Sequence, residues 1–155
     1  MPSGFISSRL DYCNSLLAGA ADCVIRKLQG IQNAAARLIT GTRKFNHITP
    51  ILWDLHWLSV HLRIKYKIAM LVNKCLRGLA PPYVAELCQP VVELAGRRHL
   101  RSAASGKLSV QRTVGRRNFA VSGPDIWNSL PTDLRLSSLS TATFATSEGT
   151  SVPQH

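Results

Sequence analysis

Apolar residues recur at helical spacing in two stretches of the chain, residues 23–39 and 60–77. In the second stretch they form one continuous stripe along the predicted helix. The members of this stripe are Val60, Ile64, Ile68, Leu71, Val72 and Cys75. Ser59 is placed to cap the start of the helix, and Gly78, followed closely by two prolines, ends it. We predict that the helix buries this stripe in a core.

The first stretch predicts a second amphipathic helix, with Asp22 as its N-cap. Arg26 and Arg37 project from the side opposite its apolar residues. The apolar residues are Val24, Leu28, Ile31, Ala35, Leu38 and Ile39. We expect these six side chains to be buried.

Shorter patterns predict further helices around these two. Residues 5–18 have a partial apolar face and end before a glycine, and Thr49 followed by proline marks another helix start. A double proline opens a short helix that runs to about residue 87, and residues 125–129 form a final helical turn with Trp127 as a core anchor.

The region after residue 91 has a different pattern. Leu108 and Val110 alternate with polar neighbours, and residues 118–121 can pair back on them across Gly115. This predicts a two-stranded basic ribbon over residues 107–121, which must pack on the helices to be stable.

The predicted fold is therefore mainly α, a small helical bundle with a short C-terminal β-ribbon and a disordered tail. Residues 1–90 form the helical region, and residues 91–136 form the basic ribbon and short helix. Residues 137–155 are rich in Ser, Thr and Ala, a composition typical of disorder.

The charge balance adds a candidate partner. Lys and Arg number 19 against 8 Asp and Glu, a net charge of +11, which favours nucleic acid or an anionic membrane surface. Composition alone does not separate these two partners. No stretch approaches the roughly 20 apolar residues of a spanning helix, and our expectation is that the chain has no membrane partner. The predicted partner is RNA, DNA or a hybrid, bound non-specifically.

The candidate phosphate contacts include a row along one flank of the helix over residues 60–77, in which Met70 lies among cationic residues. The alternative for this row is an ordinary solvated helix face. The full candidate set is Arg26, Arg37, Arg43, Lys44, Arg63, Lys67, Lys74, Arg77, Arg112, Arg116 and Arg117.

A basic loop over residues 40–48 places Arg43 and Lys44 beside Phe45. An aromatic side chain next to cations is suited to stacking on a base or a sugar. The alternative is that Phe45 plugs the core.

The sequence offers no catalytic or metal-binding motif. The carboxylates are scattered singly, without the adjacent pair that a two-metal polymerase or nuclease site needs, and there is no phosphate-binding glycine loop. The four cysteines form no C-x-x-C pair, which argues against a structural zinc site. We expect no catalytic residue, metal or cofactor, and no enzyme activity of the chain on its own.

The cysteines and the amino-terminal sequence indicate an intracellular protein of the nucleus or cytoplasm, not a secreted one.

Eight short phrases, in order and at similar spacing, resemble the carboxy-terminal part of jockey-like non-long-terminal-repeat retrotransposon reverse transcriptases. They are residues 8–14 (SRLDYCN), 27–29 (KLQ), 31–39 (IQNAAARLI), 47–52 (HITPIL), 55–58 (LHWL), 74–76 (KCL), 78–81 (GLAP) and 127–131 (WNSLP). The resemblance implies a thumb-like segment that follows the palm of an RNA-directed DNA polymerase. The family's palm aspartates and its endonuclease have no counterpart here, so the resemblance transfers no catalytic residue.

The chain departs from the family pattern at two places. Gly30 stands where a basic residue is expected, and the sequence after residue 140 replaces an amphipathic, lysine-containing helix. Both departures suggest a decayed fragment that binds template–primer at most non-specifically.

Two further hypotheses concern what such a fragment does. One is a helical protein-interaction module that captures a partner through exposed apolar residues. The candidate anchors are Trp53, Leu55, Trp57 and Leu58, for which internal packing is the alternative. The other is an inert, unstable fragment whose core needs the missing palm.

Overall fold

The computed structural model describes residues 2–93, 105–111, 115 and 117–136. These residues are mainly helical, which confirms the predicted fold class. The α-helices are α1 Pro2–Asp11, α2 Asp22–Thr40, α3 Ile48–Asp54, α4 Val60–Leu76, α5 Pro82–Ala85, α6 Phe119–Ser129 and α7 Thr132–Leu136, and 3₁₀ turns cover Asn14–Leu17 and Val91–Glu93. The chain divides into two compact units, Met1–Lys65 and Tyr66–His155, with the boundary inside α4.

The helix predicted over residues 5–18 is interrupted. α1 ends at Asp11, Cys13 adopts a left-handed conformation with φ 53°, and the chain continues as the first 3₁₀ turn. The interruption leaves Asn14 buried, with its Nδ2 donating to an Asp11 Oδ1 atom 3.5 Å away.

α2 is one residue longer at each end than predicted, and it differs in its cap and in its buried side. Ala21, not Asp22, is the N-cap, and it makes no side-chain hydrogen bond to the helix. The fully buried positions are Gln32 and Ala36. The predicted core residues Val24, Ile31 and Leu38 are exposed, Leu38 by 84%. α2 packs against α1 and α3, and this packing buries a side about 100° around the helix from Ile31.

The predicted ends of α4 are confirmed. The helix begins directly after Ser59 and ends before Gly78, whose φ is 67°. At the C-terminus the N–H of Gly78 donates to the Cys75 carbonyl and the N–H of Leu79 to the Lys74 carbonyl, 3.1 and 2.9 Å away, which is the Schellman arrangement. α3 starts slightly earlier than predicted, because its N-cap is His47 and Thr49 lies in its first turn.

The core of the N-terminal unit lies between α2 and α3. It contains Ala36, Ile51, Leu52 and Trp57, with five half-buried apolar residues around them. Trp57 therefore packs internally, whereas Trp53 is 56% exposed.

The predicted α4 stripe supplies much of the core of the C-terminal unit. Ile68, Val72 and Cys75 are buried there, and α6 contributes Val121 and the predicted anchor Trp127.

The prediction of a second β-strand, over residues 118–121, is wrong. Residues 119–121 belong to α6, because Asn118 acts as an N-cap and its Oδ1 accepts from the Ala120 N–H at 3.0 Å. Pro124 lies inside α6, as its sixth residue. Its ring is buried in the core of the unit, which helps to offset a cost of about 3 kcal/mol for an interior proline.

In the described part of the chain there is a single antiparallel bridge, between Pro90 and Leu108, and it is not the predicted pairing. Leu108 is held instead by the Asn128 side chain, which accepts from the Leu108 N–H at 2.8 Å and donates to its carbonyl at 2.9 Å. Residues 112–114 and 116 of the predicted ribbon, and the predicted tail 137–155, lie outside the described residues.

Arg135 ties the end of α6 to the segment before Leu108. Its guanidinium donates to the carbonyls of Ser105, Asn128 and Leu130 at 2.7–3.1 Å. A cation on the last carbonyls of a helix also opposes the partial negative charge of that end. None of the helices in the described ranges combines the length and apolarity needed to cross a bilayer.

Candidate nucleic-acid interface

The solvent-facing side of α4 in the C-terminal unit carries the basic row predicted from the sequence. Lys67, Lys74 and Arg77 are exposed, while Ile68 and Val72 on the opposite side are buried. Met70, which lies between the two lysines, is half-buried. Lys67 and Lys74 are two turns apart, about 10 Å along the axis.

The ammonium groups of this row have no counter-charge in the described structure. Neither Lys67 nor Lys74 makes an ion pair with a described carboxylate. Arg77 donates from Nε to the Asn73 Oδ1 atom at 2.7 Å, which orients its guanidinium without neutralising it. These three cations are accessible to an external anion.

Arg63 belongs to the same sequence row but is used internally. Its side chain is buried, and Nη1 donates to both Asp11 carboxylate oxygens at 2.8 and 2.9 Å. Nε donates to the Leu58 carbonyl at 2.9 Å. We therefore leave Arg63 out of the candidate interface.

A buried amide network beside this ion pair holds the start of α4 and was not foreseen from the sequence. Gln32 is fully buried and donates to the same Leu58 carbonyl at 2.8 Å. Gln29 donates to Gln32 at 3.0 Å, and its Oε1 accepts from the Val60 N–H at 2.9 Å. The Val60 N–H is one of the unpaired donors at the helix start, so Gln29 acts as a cap supplied by another helix.

The remaining candidates on α2 differ in accessibility. Arg26 is exposed. Arg37 is half-buried; its Nη2 donates to the Asn46 carbonyl at 3.4 Å, and its Nε is buried without a hydrogen-bond partner. Arg37 thus contacts the loop that follows α2.

That loop contains a hydrogen-bonded turn with an exposed aromatic residue. The Asn46 N–H donates to the Arg43 carbonyl at 3.1 Å, which makes Lys44 and Phe45 the central residues of the turn. Phe45 is 96% exposed, so the interpretation of this residue as a core plug is wrong. Arg43 and Lys44 are exposed as well.

The last three candidates lie near the start of α6. Arg117 is exposed, and Arg112 and Arg116 are outside the described residues. The exposed candidates thus lie on the α4 row, on the Arg43–Asn46 turn, at Arg26 and at Arg117.

The described residues contain no cluster of three His, Cys, Asp or Glu side chains that could hold a metal ion.

Cys75 and Cys88 are buried free thiols that are hydrogen-bonded to each other. Burial, followed by the neighbouring Cys75, raises the pKa of the Cys88 thiol to about 12. Desolvation by burial, followed by the positive charge of Lys65, lowers the pKa of His61.

Comparison with known proteins adds no relative. No protein-family model, no curated protein and no solved structure matches the chain. The resemblance to retrotransposon reverse transcriptases stays a prediction from the sequence phrases.

Proposed function

We propose that the chain is a remnant of a retrotransposon reverse transcriptase, a thumb-like segment without its palm, that binds nucleic acid non-specifically. The observation that carries the binding proposal is the solvent-facing row of α4. Lys67 and Lys74 are exposed there without an ion-pair partner, on a helix anchored by its buried stripe.

The physical basis is release of counterions from phosphates. Each lysine or arginine that meets a phosphate displaces condensed cations, so affinity falls as salt rises. If six of the exposed candidates contact phosphates, raising salt from about 50 to 200 mM costs roughly 10³ in affinity. Such contacts position a duplex and read no sequence.

The structural roles of residues in the eight phrases support the family proposal. Asp11 pairs with Arg63, Gln32 holds the Leu58 carbonyl, and Asn128 holds Leu108. These contacts stabilise the fold and need no active site nearby.

The test is binding of the purified chain to a labelled RNA–DNA hybrid over a salt series, with circular dichroism of the same sample. In the double variant Lys67→Ala/Lys74→Ala, we expect the slope of log K against log salt to become shallower by about two. The matched control is Lys65→Ala/Lys107→Ala, which removes the same charge from two exposed lysines outside the candidate set. We expect this control to bind nearly like the unmodified chain.

Two results contradict the proposal: binding that does not respond to salt, or an equal loss in the two double variants. An unfolded sample would instead favour the inert-fragment hypothesis.

A second candidate function, protein interaction, is favoured by the exposed side of α2. Val24, Ile31 and Leu38 lie seven residues apart on one side of this helix and are exposed, as is Trp53 on α3. Apolar side chains aligned in this way are typical of a helix face covered by another protein. Trp57 is excluded as an anchor because it is buried. A folded chain that fails to bind the hybrid would favour this candidate.

A further inference from the structure

The Arg43–Asn46 turn holds the most exposed large apolar side chain of the described structure, that of Phe45 at 96%. Because of this exposure, Phe45 contributes almost no burial to the fold, and both faces of its ring are accessible to solvent. Trp57 of the same unit, in contrast, is buried in the core.

The turn is held in place by the end of α2. The Asn46 N–H donates to the Arg43 carbonyl at 3.1 Å, and the Arg37 guanidinium donates to the Asn46 carbonyl at 3.4 Å. α2 itself ends in a left-handed Gly41, after which the Thr42 N–H donates back to the Arg37 carbonyl at 3.1 Å. Because these contacts fix the backbone of the turn, little backbone freedom is lost when a ligand packs on the exposed ring.

The residues preceding Phe45 define the chemistry of that ligand. Arg43 and Lys44 are exposed and make no ion pair with any described residue. A flat ring next to two unpaired cations matches a nucleobase attached to a phosphate backbone, since stacking engages the base face and the cations engage phosphates.

We propose that the Arg43–Asn46 turn is a binding site for unpaired nucleic acid, in which Phe45 stacks on a base and Arg43 and Lys44 contact the flanking phosphates. The inference rests on the proposed function and adds a preference to it. In a duplex the base faces are covered by their neighbours, so Phe45 gains a stacking partner only at single-stranded segments or ends. The α4 row, in contrast, contacts phosphates of either form.

The experiment compares binding of the full chain to a labelled single-stranded oligothymidylate and to a duplex of mixed sequence. Phe45→Ala is expected to weaken single-strand binding by roughly 5- to 100-fold, the effect of losing one base–aromatic stack. Duplex binding is expected to change less than about twofold, because phosphate contacts are retained. Phe45→Leu, which keeps an apolar side chain without a π face, should behave like Phe45→Ala, and Phe45→Trp should restore single-strand affinity.

The matched control is Tyr83→Ala, because Tyr83 is an exposed aromatic residue outside the turn. It should leave both affinities unchanged. A second readout is the fluorescence of Phe45→Trp, which should be quenched by the oligothymidylate beyond the quenching of the three native tryptophans.

The possible results separate this inference from the proposed function. Salt-dependent binding of both probes that is unchanged in Phe45→Ala overturns the inference and leaves the proposed function standing. Equal losses for both probes also overturn it. Absence of binding to either probe overturns both proposals. Loss of anionic-vesicle binding in Phe45→Ala, with oligothymidylate binding intact, would assign the turn to a lipid surface and overturn the inference.

Discussion

At the scale of single residues, two cationic side chains on one helix have different roles. Arg63 and Lys67 are one turn apart on α4, yet Arg63 is buried on Asp11 and Lys67 is exposed. Both residues belong to the same basic row of the sequence. What distinguishes them is the Asp11 carboxylate, 52 positions before Arg63 in the chain, which pairs with Arg63. Arg63 therefore stabilises the fold, whereas Lys67 is available for a ligand.

The Asp11–Arg63 pair gives a stability prediction. Asp11→Ala leaves a buried guanidinium with the Leu58 carbonyl as its remaining partner, so we expect the free energy of unfolding to fall by about 1–2 kcal/mol. This loss is smaller than that for a fully buried pair because the Asp11 side chain is 47% exposed. Urea denaturation measures the change. Asp54→Ala, at an exposed carboxylate outside any described ion pair, is the control and should shift stability by less than about 0.5 kcal/mol. Equal effects of the two substitutions would refute a structural role for the pair.

At the scale of elements, the local pattern predicted α2 and α4 as helices, but it did not predict which side of α2 is buried. α4 buries five of the six residues of the predicted stripe, and Leu71 is half-buried. α2 does not bury its predicted side, because its neighbours cover the side of Gln32 and Ala36 and leave Ile31 in solvent. The amide network explains how a polar side can be buried at little cost, since Gln29 and Gln32 find hydrogen-bond partners there.

Two helical glycines provide a matched prediction at this scale. Gly30 lies within α2 with nothing within 4 Å of an added Cβ, so Gly30→Ala should raise the free energy of unfolding by about 0.5–1 kcal/mol through helix propensity. In α6, a Cβ on Gly123 would lie 3.2 Å from the Phe119 ring and 3.3 Å from Val72. Overpacking there should outweigh the propensity gain, and we expect Gly123→Ala to lower stability by about 1 kcal/mol. Chemical denaturation of both variants checks this, and a gain in both would show that α6 relaxes freely.

At the scale of the whole molecule, cationic residues are in excess in both compact units. The exposed candidates likewise occur in both, at the turn before α3 and on α4. A polyanion therefore has more than one surface to contact, which suits non-specific binding with a strong salt dependence.

The four free cysteines report on folding of the whole chain. Cys13 and Cys23 are exposed, whereas Cys75 and Cys88 are buried. Because burial raises the pKa of Cys88 to about 12, almost none of it is thiolate at about pH 8. A colorimetric thiol reagent should label two thiols rapidly in the folded protein and all four in urea. Rapid labelling of four thiols without denaturant would mean that the C-terminal unit is not folded.

The same thiols predict a loss of stability at high pH. A thiol whose pKa is higher in the folded than in the unfolded protein favours folding fully below the unfolded pKa of 9.0. This contribution falls as pH rises from there toward the folded value of about 12, by at most about 1.4 kcal/mol per pH unit for one thiol. Cys88→Ala should reduce this loss.

The sequence by itself determined that the protein is mainly helical, where α4 begins and ends, and that cations exceed carboxylates. Periodicity, caps and glycine stops are local, so they can be read from neighbouring residues. Only the tertiary structure decided that α2 buries Gln32 instead of Ile31, that Arg63 is ion-paired with Asp11 and that Phe45 is exposed. Each of these depends on partners distant in sequence, because burial is set by which elements meet and not by the composition of one segment.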